Sequence, residues 1–382
     1  MSHKPRAFVS VTNDLLTDQR VHRTCLTLID KGFEPLLIGR QKRGSLPLPL
    51  RPYPALRMKL LFEKGMLFYA EYNLRLFLIL LFKKTGLLFA NDLDTLLPNY
   101  LVSKIKASPL IYDSHEYFTG VPELQNHPVK RKIWSLLERL IIPRLKMMIT
   151  VNGSIAGLYH SAYGNDVKVV RNLPLSDPNP QPIPGTGRKQ LGLPENADIV
   201  LLQGAGINVD RGAEEAVQAM QWVNSALLLI IGGGDAIPGL KKLVNRHQLG
   251  EKVMFINKLP FEQLRQYTIA ATIGITLDKD TNLNYRYSLP NKLFDYIHAG
   301  VPVLASALPE VKKIIDAYQI GECTDSVTPE AIAAKLNGML RDKERLNWYK
   351  GNTLKAKTEL CWENEKGLLG ELILKAAHQT EA

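Results

Sequence analysis

Apolar runs alternate with amphipathic patterns along most of this chain. Residues 7–11 are apolar except for Ser10 and predict a buried strand, and a helix is predicted over about residues 18–31. Further strands are predicted at residues 35–38, 86–90, 110–112, 147–151 and 167–170, with helices beginning near Thr95 and covering residues 129–145. Strands that are regularly separated by helices indicate parallel βαβ units with right-handed crossovers.

The alternation stops once and then resumes. Residues 172–188 contain five prolines and two glycines, so this segment continues neither a helix nor a strand. A second βαβ series follows, with strands predicted at residues 199–203, 226–231, 253–256, 272–276 and 301–305, and helices at residues 212–222, 239–247, 261–267, 292–298, 328–342 and 362–377.

This pattern predicts an α/β fold class with two Rossmann-like, doubly wound domains that face each other across a cleft. We expect domains at residues 1–172 and 191–361, a proline-rich linker at residues 173–190, and a C-terminal helix at residues 362–382 that packs back on the first domain. A long surface loop within one domain is the alternative to the linker, but a new βαβ series follows it. The expected ligand site lies in the cleft, at the carboxyl ends of the strands.

Positive charge is concentrated in the first half of the chain. The formal net charge is +11, and residues 1–175 contain 25 Lys and Arg against 13 Asp and Glu, whereas the remainder contains 23 against 24. Nucleic acid, an anionic membrane surface or a phosphate-bearing substrate could each explain a basic half. No nucleic-acid-binding module is evident, so we expect no nucleic-acid partner.

The N-terminus and the cysteines indicate a cytoplasmic protein. The opening residues lack the apolar stretch of a secretory signal, and three cysteines at unrelated spacings suggest neither a disulfide framework nor a metal site. Residues 56–82 are rich in Leu and Phe, but charged residues interrupt them and the longest clean apolar run is residues 76–82. We therefore expect a buried helix with basic flanks, with a peripheral anchor at the inner face of the membrane as the alternative.

The densest candidate chemistry lies at residues 288–306. Pro290 suits the first turn of a helix, and Ser288 can cap it. The N–H groups of that turn would bind an anion, and Lys292 adds a positive charge. Asp295, one turn further on, can accept hydrogen bonds from a ribose diol. These residue types in this order predict a site for a nucleoside diphosphate.

This segment resembles the donor-site helix of GT-B glycosyltransferases, especially the retaining family 4 (group 1). The residues in step with that family are Pro290, Lys292, Asp295, Tyr296, Ala299, Gly300, Pro302 and Val303. The family has two glutamates eight residues apart. The second, a ribose contact, corresponds to Asp295, and Tyr287 replaces the first, which contacts the donor sugar.

Other segments of the second half resemble further parts of the same donor site. Residues 201–220 resemble a strand–loop–helix with two basic residues against the diphosphate, of which the second is Arg211 and the first is replaced by Ala205. The glycine-rich turn in residues 230–243 resembles the turn that faces the nucleotide. The donor-binding residues that the resemblance implies are Gly206, Gly233, Asn257, Lys258, Ser288, Leu289, Pro290, Asn291 and Asp295.

The resemblance extends into the first half. Residues 12–23 resemble the family's acceptor-side loop and its following D-x-R-V-x-R motif. Asn13 and Asp14 stand where the family has a pair of glycines, and Asn and Asp tolerate the left-handed conformation better than other non-glycine residues. His115 follows Asp113 at a strand end, where the family commonly has a histidine that reaches the donor sugar.

The implied reaction is transfer of a hexosyl unit, with retention, from a UDP- or GDP-linked sugar to a hydroxyl acceptor. Arg211, Lys292 and the helix N-terminus would stabilise the leaving diphosphate without a metal or other cofactor, and His115 would position groups and stabilise charge. Asp92-Leu93-Asp94 fits a D-x-D metal pattern but resembles a different family segment. The basic half favours a carbohydrate, lipid-linked or other anionic acceptor at a membrane surface, as in polysaccharide biosynthesis.

Two other functions remain open. A nucleotide-sugar epimerase on the same fold would need carboxylates near the sugar, and Tyr287 does not favour that arrangement. A non-catalytic nucleotide-sugar-binding or partner-binding module is the other alternative, because Tyr287 and Ala205 replace two polar positions. A nicotinamide oxidoreductase is excluded, since no G-x-G-x-x-G follows the first strand.

Overall fold

The computed structural model describes residues 4–16, 18–121, 127–176 and 187–378. The chain forms two compact units: unit 1 comprises Met1–Asn172 and Asn364–Ala382, and unit 2 comprises Leu173–Glu363. The division falls after Asn172, and the C-terminal segment groups with unit 1. Residues 177–186 of the predicted linker lie outside the described residues.

Unit 1 is built on a seven-stranded parallel sheet. Its strands are β1 (Arg6–Ser10), β2 (Glu34–Gln41), β3 (Ala55–Lys59), β4 (Leu87–Asn91), β5 (Leu110–Ser114), β6 (Met148–Thr150) and β7 (Val167–Val169). They lie in the order β3-β2-β1-β4-β5-β6-β7, so that Ala7 pairs with Pro35 on one side and Leu87 on the other. The central strands are buried on both faces, as their continuous apolar sequences predict.

Helices connect the strands of unit 1. They are α1 (Gln19–Asp30), α2 (Gly65–Phe82), α3 (Leu93–Lys106), α4 (Pro128–Ile141) and α5 (Gly153–Tyr163). The sequence pattern missed β3 and α5. In β3 only Met58 is buried, and α5 is rich in small residues, so neither has a strong hydrophobic period. Asn152 caps α5 through Ile155 N, and Gly164 ends it at φ +75°.

The expectation that residues 56–82 form a buried helix is wrong for most of α2. The helix buries a single face, formed by Phe68, Tyr72, Leu76 and Leu80 at a spacing of four residues. This spacing turns only one side of the helix toward the sheet. The remaining apolar side chains of α2 point outward or lie half-buried.

Unit 2 contains a six-stranded parallel sheet. Its strands are β8 (Asp198–Gly204), β9 (Ala226–Gly232), β10 (Val253–Ile256), β11 (Ile273–Thr276), β12 (Val303–Ser306) and β13 (Gly321–Thr324). Their order is β10-β9-β8-β11-β12-β13, which places the turning point of the sheet between β8 and β11. In such sheets, loops at the carboxyl ends of the strands on either side of that point form the natural ligand site.

Helices on both faces complete unit 2. They are α6 (Ala213–Ala219), α7 (Ile237–Arg246), α8 (Phe261–Ala270), α9 (Leu283–Arg286), α10 (Asn291–Ala299), α11 (Pro309–Tyr318), α12 (Pro329–Arg341) and α13 (Lys343–Glu359). A last helix, α14 (Trp362–His378), leads back to unit 1. Strand β13 and helices α9, α11 and α13 were not predicted. The alternating parallel strands and helices of both units confirm the predicted α/β fold class.

Candidate functional site

Two glycine-containing loops pack together at the carboxyl ends of β8 and β9. Gly232 and Gly234 have φ of +142° and +150°, a region that side chains rarely adopt. A Cβ on Gly232 would lie 1.8 Å from the Gly204 carbonyl oxygen, and one on Gly234 would lie 2.2 Å from the Ile207 carbonyl oxygen. The two loops therefore meet backbone to backbone, and Ile207 N donates to Gly233 O over 2.7 Å.

The predicted donor residues Gly206 and Gly233 lie in these loops. Gly206 is exposed, and a Cβ on Gly233 would meet nothing within 4 Å. Close backbone packing thus explains why glycine is needed at positions 232 and 234, but it does not explain Gly233. The contact of Gly233 with a nucleotide stays a prediction.

Arg211 is held by an aspartate that the sequence did not single out. Its Nη1 lies 3.3 Å from Oδ2 of Asp278, a buried residue just beyond β11, and its guanidinium lies 4.6 Å from the ring centre of Tyr285. Gly212, at φ +72°, allows this approach, because a Cβ there would lie 2.2 Å from the Leu277 carbonyl oxygen. Within the described residues, Arg211 Nε and Asp278 Oδ1 are buried without hydrogen-bond partners, and of the two only the Arg211 N–H could donate to an anionic ligand.

Lys292 shares this environment at the start of α10. Burial and the nearby Arg211 guanidinium lower the pKa of Lys292, while the Asp278 carboxylate opposes that shift. Two cations thus converge on one carboxylate. The two cations outnumber the carboxylate by one positive charge, which suits an anionic ligand such as a phosphate.

The prediction that Ser288 caps this helix is wrong. Pro290, extended at φ −71° and ψ 138°, occupies the N-cap position and not the first turn, and no side chain caps the helix. Ser288 N donates to Tyr285 O, which ends the turn before the helix begins. The Ser288 hydroxyl is buried with no hydrogen-bond partner among the described residues. Gly300 ends the helix at φ +74°, as expected from the sequence.

Asp295 is positioned from the end of β8. Its Oδ2 accepts a hydrogen bond of 3.2 Å from Gln203 Nε2, and Gln203 Oε1 accepts one of 2.7 Å from Thr268. The neighbouring Tyr296 donates from its hydroxyl to the carbonyls of Leu201 and Ile275, which fixes α10 on the sheet. Sequence patterns did not indicate roles for Gln203 or Thr268, because those roles depend on strand order.

The remaining predicted donor residues lie at the edges of this site. Leu289 packs against the core of unit 2, and Asn291 is the exposed first residue of α10. Asn257 and Lys258 are exposed just after β10. In the described part of the chain, no hydrogen bond or ion pair joins Asn257 or Lys258 to Arg211 or Lys292.

In unit 1, His115 lies between two carboxylates. Its backbone N–H donates to Asp92 Oδ1 over 2.9 Å, and its Nδ1 lies 3.2 Å from Asp92 Oδ2. Its Nε2 lies 3.4 Å from Asp113 Oδ2, which is within ion-pair distance. Burial alone would lower the pKa of His115, but Asp92 and Asp113 together raise it well above its ordinary value. The imidazole is therefore a cation near neutral pH.

Both carboxylates are held rigidly. Arg20 donates two hydrogen bonds, of 2.9 and 2.7 Å, to the Asp113 carboxylate and a third to Val170 O. Burial alone would raise the pKa of Asp113, but Arg20 and His115 lower it to about 2. Asp92 has φ +60° and ψ 164°, a conformation otherwise confined to glycine, and such strain is typical of functional sites. Arg20 belongs to the D-x-R-V-x-R motif, but no role was predicted for this arginine from the sequence.

Asp94, the second aspartate of the D-x-D pattern, is hydrogen-bonded to Thr12 and not to His115. It accepts a 2.5 Å hydrogen bond from Thr12, and burial together with Asp92 raises its pKa to about 7. Among the described residues, no group of three or more His, Cys, Asp or Glu side chains is placed to hold a metal ion.

The loop at Asn13 and Asp14 has a different conformation from the one expected. The left-handed residue is Leu15, at φ +67°, and not Asn13 or Asp14. Asn13 Oδ1 accepts from Leu15 N, and Arg57 and Ser45 donate to the Asp14 carboxylate. Burial of Leu15 against Gly39, where a Cβ would lie 2.4 Å from Leu15 Cδ2, explains the strained position.

Comparison with known proteins identifies one family match and several similar structures. Residues 186–355 match the family model of glycosyl transferases, group 1, which covers most of unit 2 and less than half of the chain. A comparison of the sequence with curated proteins finds no significant match.

The solved structures that resemble this chain cover nearly all of it. A sucrose-phosphate synthase from Thermosynechococcus elongatus is 18% identical, with 98% of this chain and 99% of that chain covered and a TM-score of 0.80. HepE from Anabaena, in complex with UDP and glucose, is 15% identical, with 97% and 100% covered and a TM-score of 0.72. WaaG, a glycosyltransferase involved in lipopolysaccharide biosynthesis, is 14% identical, with 96% and 99% covered and a TM-score of 0.74. At these identities the likeness shows the fold, which is that of GT-B proteins.

Proposed function

We propose that this chain is a glycosyltransferase that moves a hexosyl unit from a nucleoside diphosphate sugar to a hydroxyl acceptor. The observation that carries the proposal is the convergence of Arg211 and Lys292 on the buried Asp278, next to the start of α10. All three residues lie in the segment that matches the group 1 family. HepE, of the same fold, has been solved in complex with UDP-glucose, which supports a nucleotide-sugar donor.

The cluster suits a leaving diphosphate. Cleavage of the sugar–phosphate bond places negative charge on the diphosphate, and groups fixed in advance lower the barrier most. Arg211 is fixed by Asp278 and Tyr285, and Lys292 by its position in the first turn of α10. Two cations can stabilise this charge by themselves, so we propose that transfer needs no metal and no other cofactor.

Asp295 is proposed to hold the ribose of the donor. Its hydrogen bond with Gln203 orients the carboxylate at the end of β8, the central strand of the sheet. A carboxylate that accepts two ribose hydroxyls is a common arrangement in nucleotide-binding sheets of this kind. The proposed donors are sugars linked to UDP or GDP.

His115 is proposed to position the donor sugar through hydrogen bonds and not to act as a base. A cation already protonated at neutral pH cannot take the acceptor's proton, whereas it can donate hydrogen bonds to sugar hydroxyls. We propose retention of anomeric configuration from the resemblance of the donor helix. A carbohydrate or lipid-linked acceptor in the cytoplasm, as used in polysaccharide synthesis, suits the basic character of the first half.

The test is nucleotide release. The protein is incubated with UDP- and GDP-sugars, with and without saccharide and lipid-linked acceptors, and free UDP or GDP is measured. We expect release that depends on one donor and on an acceptor. Donor binding without release under any condition would indicate a binding module, and interconversion of the donor sugars without release would indicate an epimerase.

A further inference from the structure

The outward side of α2 carries a stripe of unpaired apolar residues. Leu67, Leu74 and Phe82 are 59, 61 and 79% exposed, and Leu78 is exposed as well. These positions lie on the side of the helix opposite to the face that packs on the sheet. By length and composition alone, α2 could cross a membrane. Its inner face packs within unit 1, however, where the Tyr72 hydroxyl donates to Val11 O over 2.7 Å.

A second stripe runs along α4. Val129, Ile133, Leu136 and Leu140 are exposed at a spacing of four, three and four residues, which places them on one face. Trp134 and Ile141 on the other side are buried. An amphipathic helix normally buries its apolar stripe, whereas α4 also exposes one to solvent.

The two stripes belong to one layer of helices. Helices α2, α3 and α4 follow β3, β4 and β5, and each connection moves the same way across the sheet. Right-handed crossovers therefore place all three on the same face. The rings of Tyr69 on α2 and Trp134 on α4 meet edge to face at 5.2 Å. We call the exposed residues of α2, α3 and α4 the outer helix surface; on α3 they include Leu101 and Ile105.

Basic side chains border the apolar stripes of this surface. Lys132 and Arg139 lie beside the α4 stripe, and Lys83 and Lys84 follow the end of the α2 stripe. None of these four forms a salt bridge within the described residues. The acidic Glu71 on α2 is already neutralised by Arg75, 2.6 Å away. The surface is thus apolar along its stripes and positive at its edges.

We propose that the outer helix surface docks on an anionic membrane. The apolar stripes enter the boundary between headgroups and acyl chains, while the lysines and arginines contact acidic headgroups. Charge decides against a second copy of this chain as the occupant, because a twofold interface would place the same basic edge against itself. The proposal stands independently of the proposed reaction, since it uses no residue of either candidate site.

Co-sedimentation with vesicles tests the proposal on the full chain. Vesicles of phosphatidylcholine alone are compared with vesicles that also contain phosphatidylglycerol, at low and high sodium chloride. We expect binding to the anionic vesicles, weakened but not abolished by salt, and little binding to the neutral ones. Absence of binding to anionic vesicles at low salt, or equal binding to both compositions, would overturn the proposal.

Two double variants locate the surface. For Lys132→Gln with Arg139→Gln we expect affinity for anionic vesicles to fall about thirtyfold at low salt. For Leu136→Gln with Leu140→Gln we expect a fall of at least about tenfold. The matched controls change exposed residues elsewhere: Lys242→Gln with Arg246→Gln on α7, and Leu368→Gln with Leu374→Gln on α14. We expect both controls to bind like the wild type.

The oligomeric state separates a membrane surface from a protein interface. Light scattering and thermal melting of each variant show whether the fold and the assembly are unchanged. A chain that is dimeric, and that the α4 leucine variant converts to a monomer without loss of vesicle binding, would contradict the proposal. Equal loss of binding in the variants and their controls would contradict it as well.

Discussion

His115 shows how neighbouring charges set the chemistry of a single residue. Without Asp92 and Asp113, burial would favour its neutral form, yet the two carboxylates raise its pKa well above the ordinary value. Arg20 in turn keeps Asp113 ionised through two hydrogen bonds. The unit 1 site is therefore a chain of alternating charges from Arg20 through Asp113 and His115 to Asp92, and its two partly exposed members are His115 and Asp92.

The charge of His115 predicts the pH dependence of the reaction. The folded pKa is raised, so the cation is complete at low pH and is lost as pH rises through that value. We expect kcat to be level around neutrality and to fall on the alkaline side, measured from about pH 6 to about pH 10. The variant His115→Gln should lower kcat on the order of a hundredfold or more and remove the part of the alkaline fall that loss of the His115 proton causes. A rate that rises with pH as His115 loses its proton would show that it acts as a base.

Glu138 is a buried carboxyl group outside both candidate sites. It accepts hydrogen bonds from Thr119 and Tyr163, at 2.8 and 3.2 Å. Burial, the largest influence, raises its pKa from 4.5 to about 7. Because the folded state holds the proton more tightly than the unfolded state, this group stabilises the protein at low pH. That contribution is lost as pH rises from about 4.5 to about 7.

The variant Glu138→Gln should remove this loss of stability. We expect it to raise the free energy of unfolding by about 1–3 kcal/mol at about pH 8 and to change it little at about pH 5. Urea denaturation at both pH values measures the difference. Glu344→Gln, at an exposed position on α13, is the control and should show no such pH-dependent gain. Equal effects of Glu138→Gln at both pH values would show that the carboxyl is ionised throughout.

At the level of elements, the loops after β8 and β9 are shaped by glycine. Gly232 and Gly234 let two backbones approach more closely than any side chain permits. Gly212 does the same where α6 begins beside the end of β11. These close approaches bring the Arg211 loop to Asp278, so the geometry of the charged cluster depends on them.

A pair of adjacent glycines tests this role. Gly234→Ala adds a Cβ 2.2 Å from the Ile207 carbonyl oxygen at φ +150°, and we expect it to lower the free energy of unfolding by more than about 2 kcal/mol. Gly233→Ala meets nothing within 4 Å and should change it by less than about 0.5 kcal/mol. Both values come from chemical denaturation. Similar losses for the two variants would show that the loops do not depend on this contact.

Sequence patterns predicted the elements better than they predicted the contacts. Helix α10 was predicted nearly to its ends, since its apolar period is clear and Gly300 ends it. The capping role of Ser288 was wrong, because Pro290 extends the chain immediately before the helix. No role was predicted for Asp278 or Gln203. Their partners are distant in sequence and become neighbours only because β8 lies beside β11, an order that periodicity alone does not give.

The same limit applies in unit 1. The position of His115 at a strand end was predicted, while the strained Asp92 that holds it was not. A positive φ on a non-glycine residue leaves no trace in the sequence pattern. At the Asn13 loop the strain falls on Leu15 because burying that side chain outweighs the local preference of Asn and Asp.

Across the whole molecule, positive charge is distributed unevenly between the two units. The excess of Lys and Arg lies within residues 1–175, which contain almost all of unit 1. The charges of unit 2 nearly cancel. Its cations Arg211 and Lys292 are instead concentrated at one candidate site. We therefore propose that unit 2 recognises the nucleoside diphosphate and that unit 1 recognises acidic surfaces or acceptors.

The central claim is that Arg211 and Lys292 bind the diphosphate of a nucleotide. Isothermal titration calorimetry with UDP, GDP and the matching nucleosides tests it on the wild type, Arg211→Lys and Lys292→Met, with Arg246→Met on α7 as the control. Arg211→Lys keeps a charge beside Asp278 but loses the planar fork that suits a phosphate. We predict that one nucleoside diphosphate binds at least about a hundredfold more tightly than its nucleoside, and that both site variants lose most of this difference while the control keeps it. Equal affinity for nucleoside and diphosphate, or unchanged diphosphate affinity in both site variants, would contradict the account.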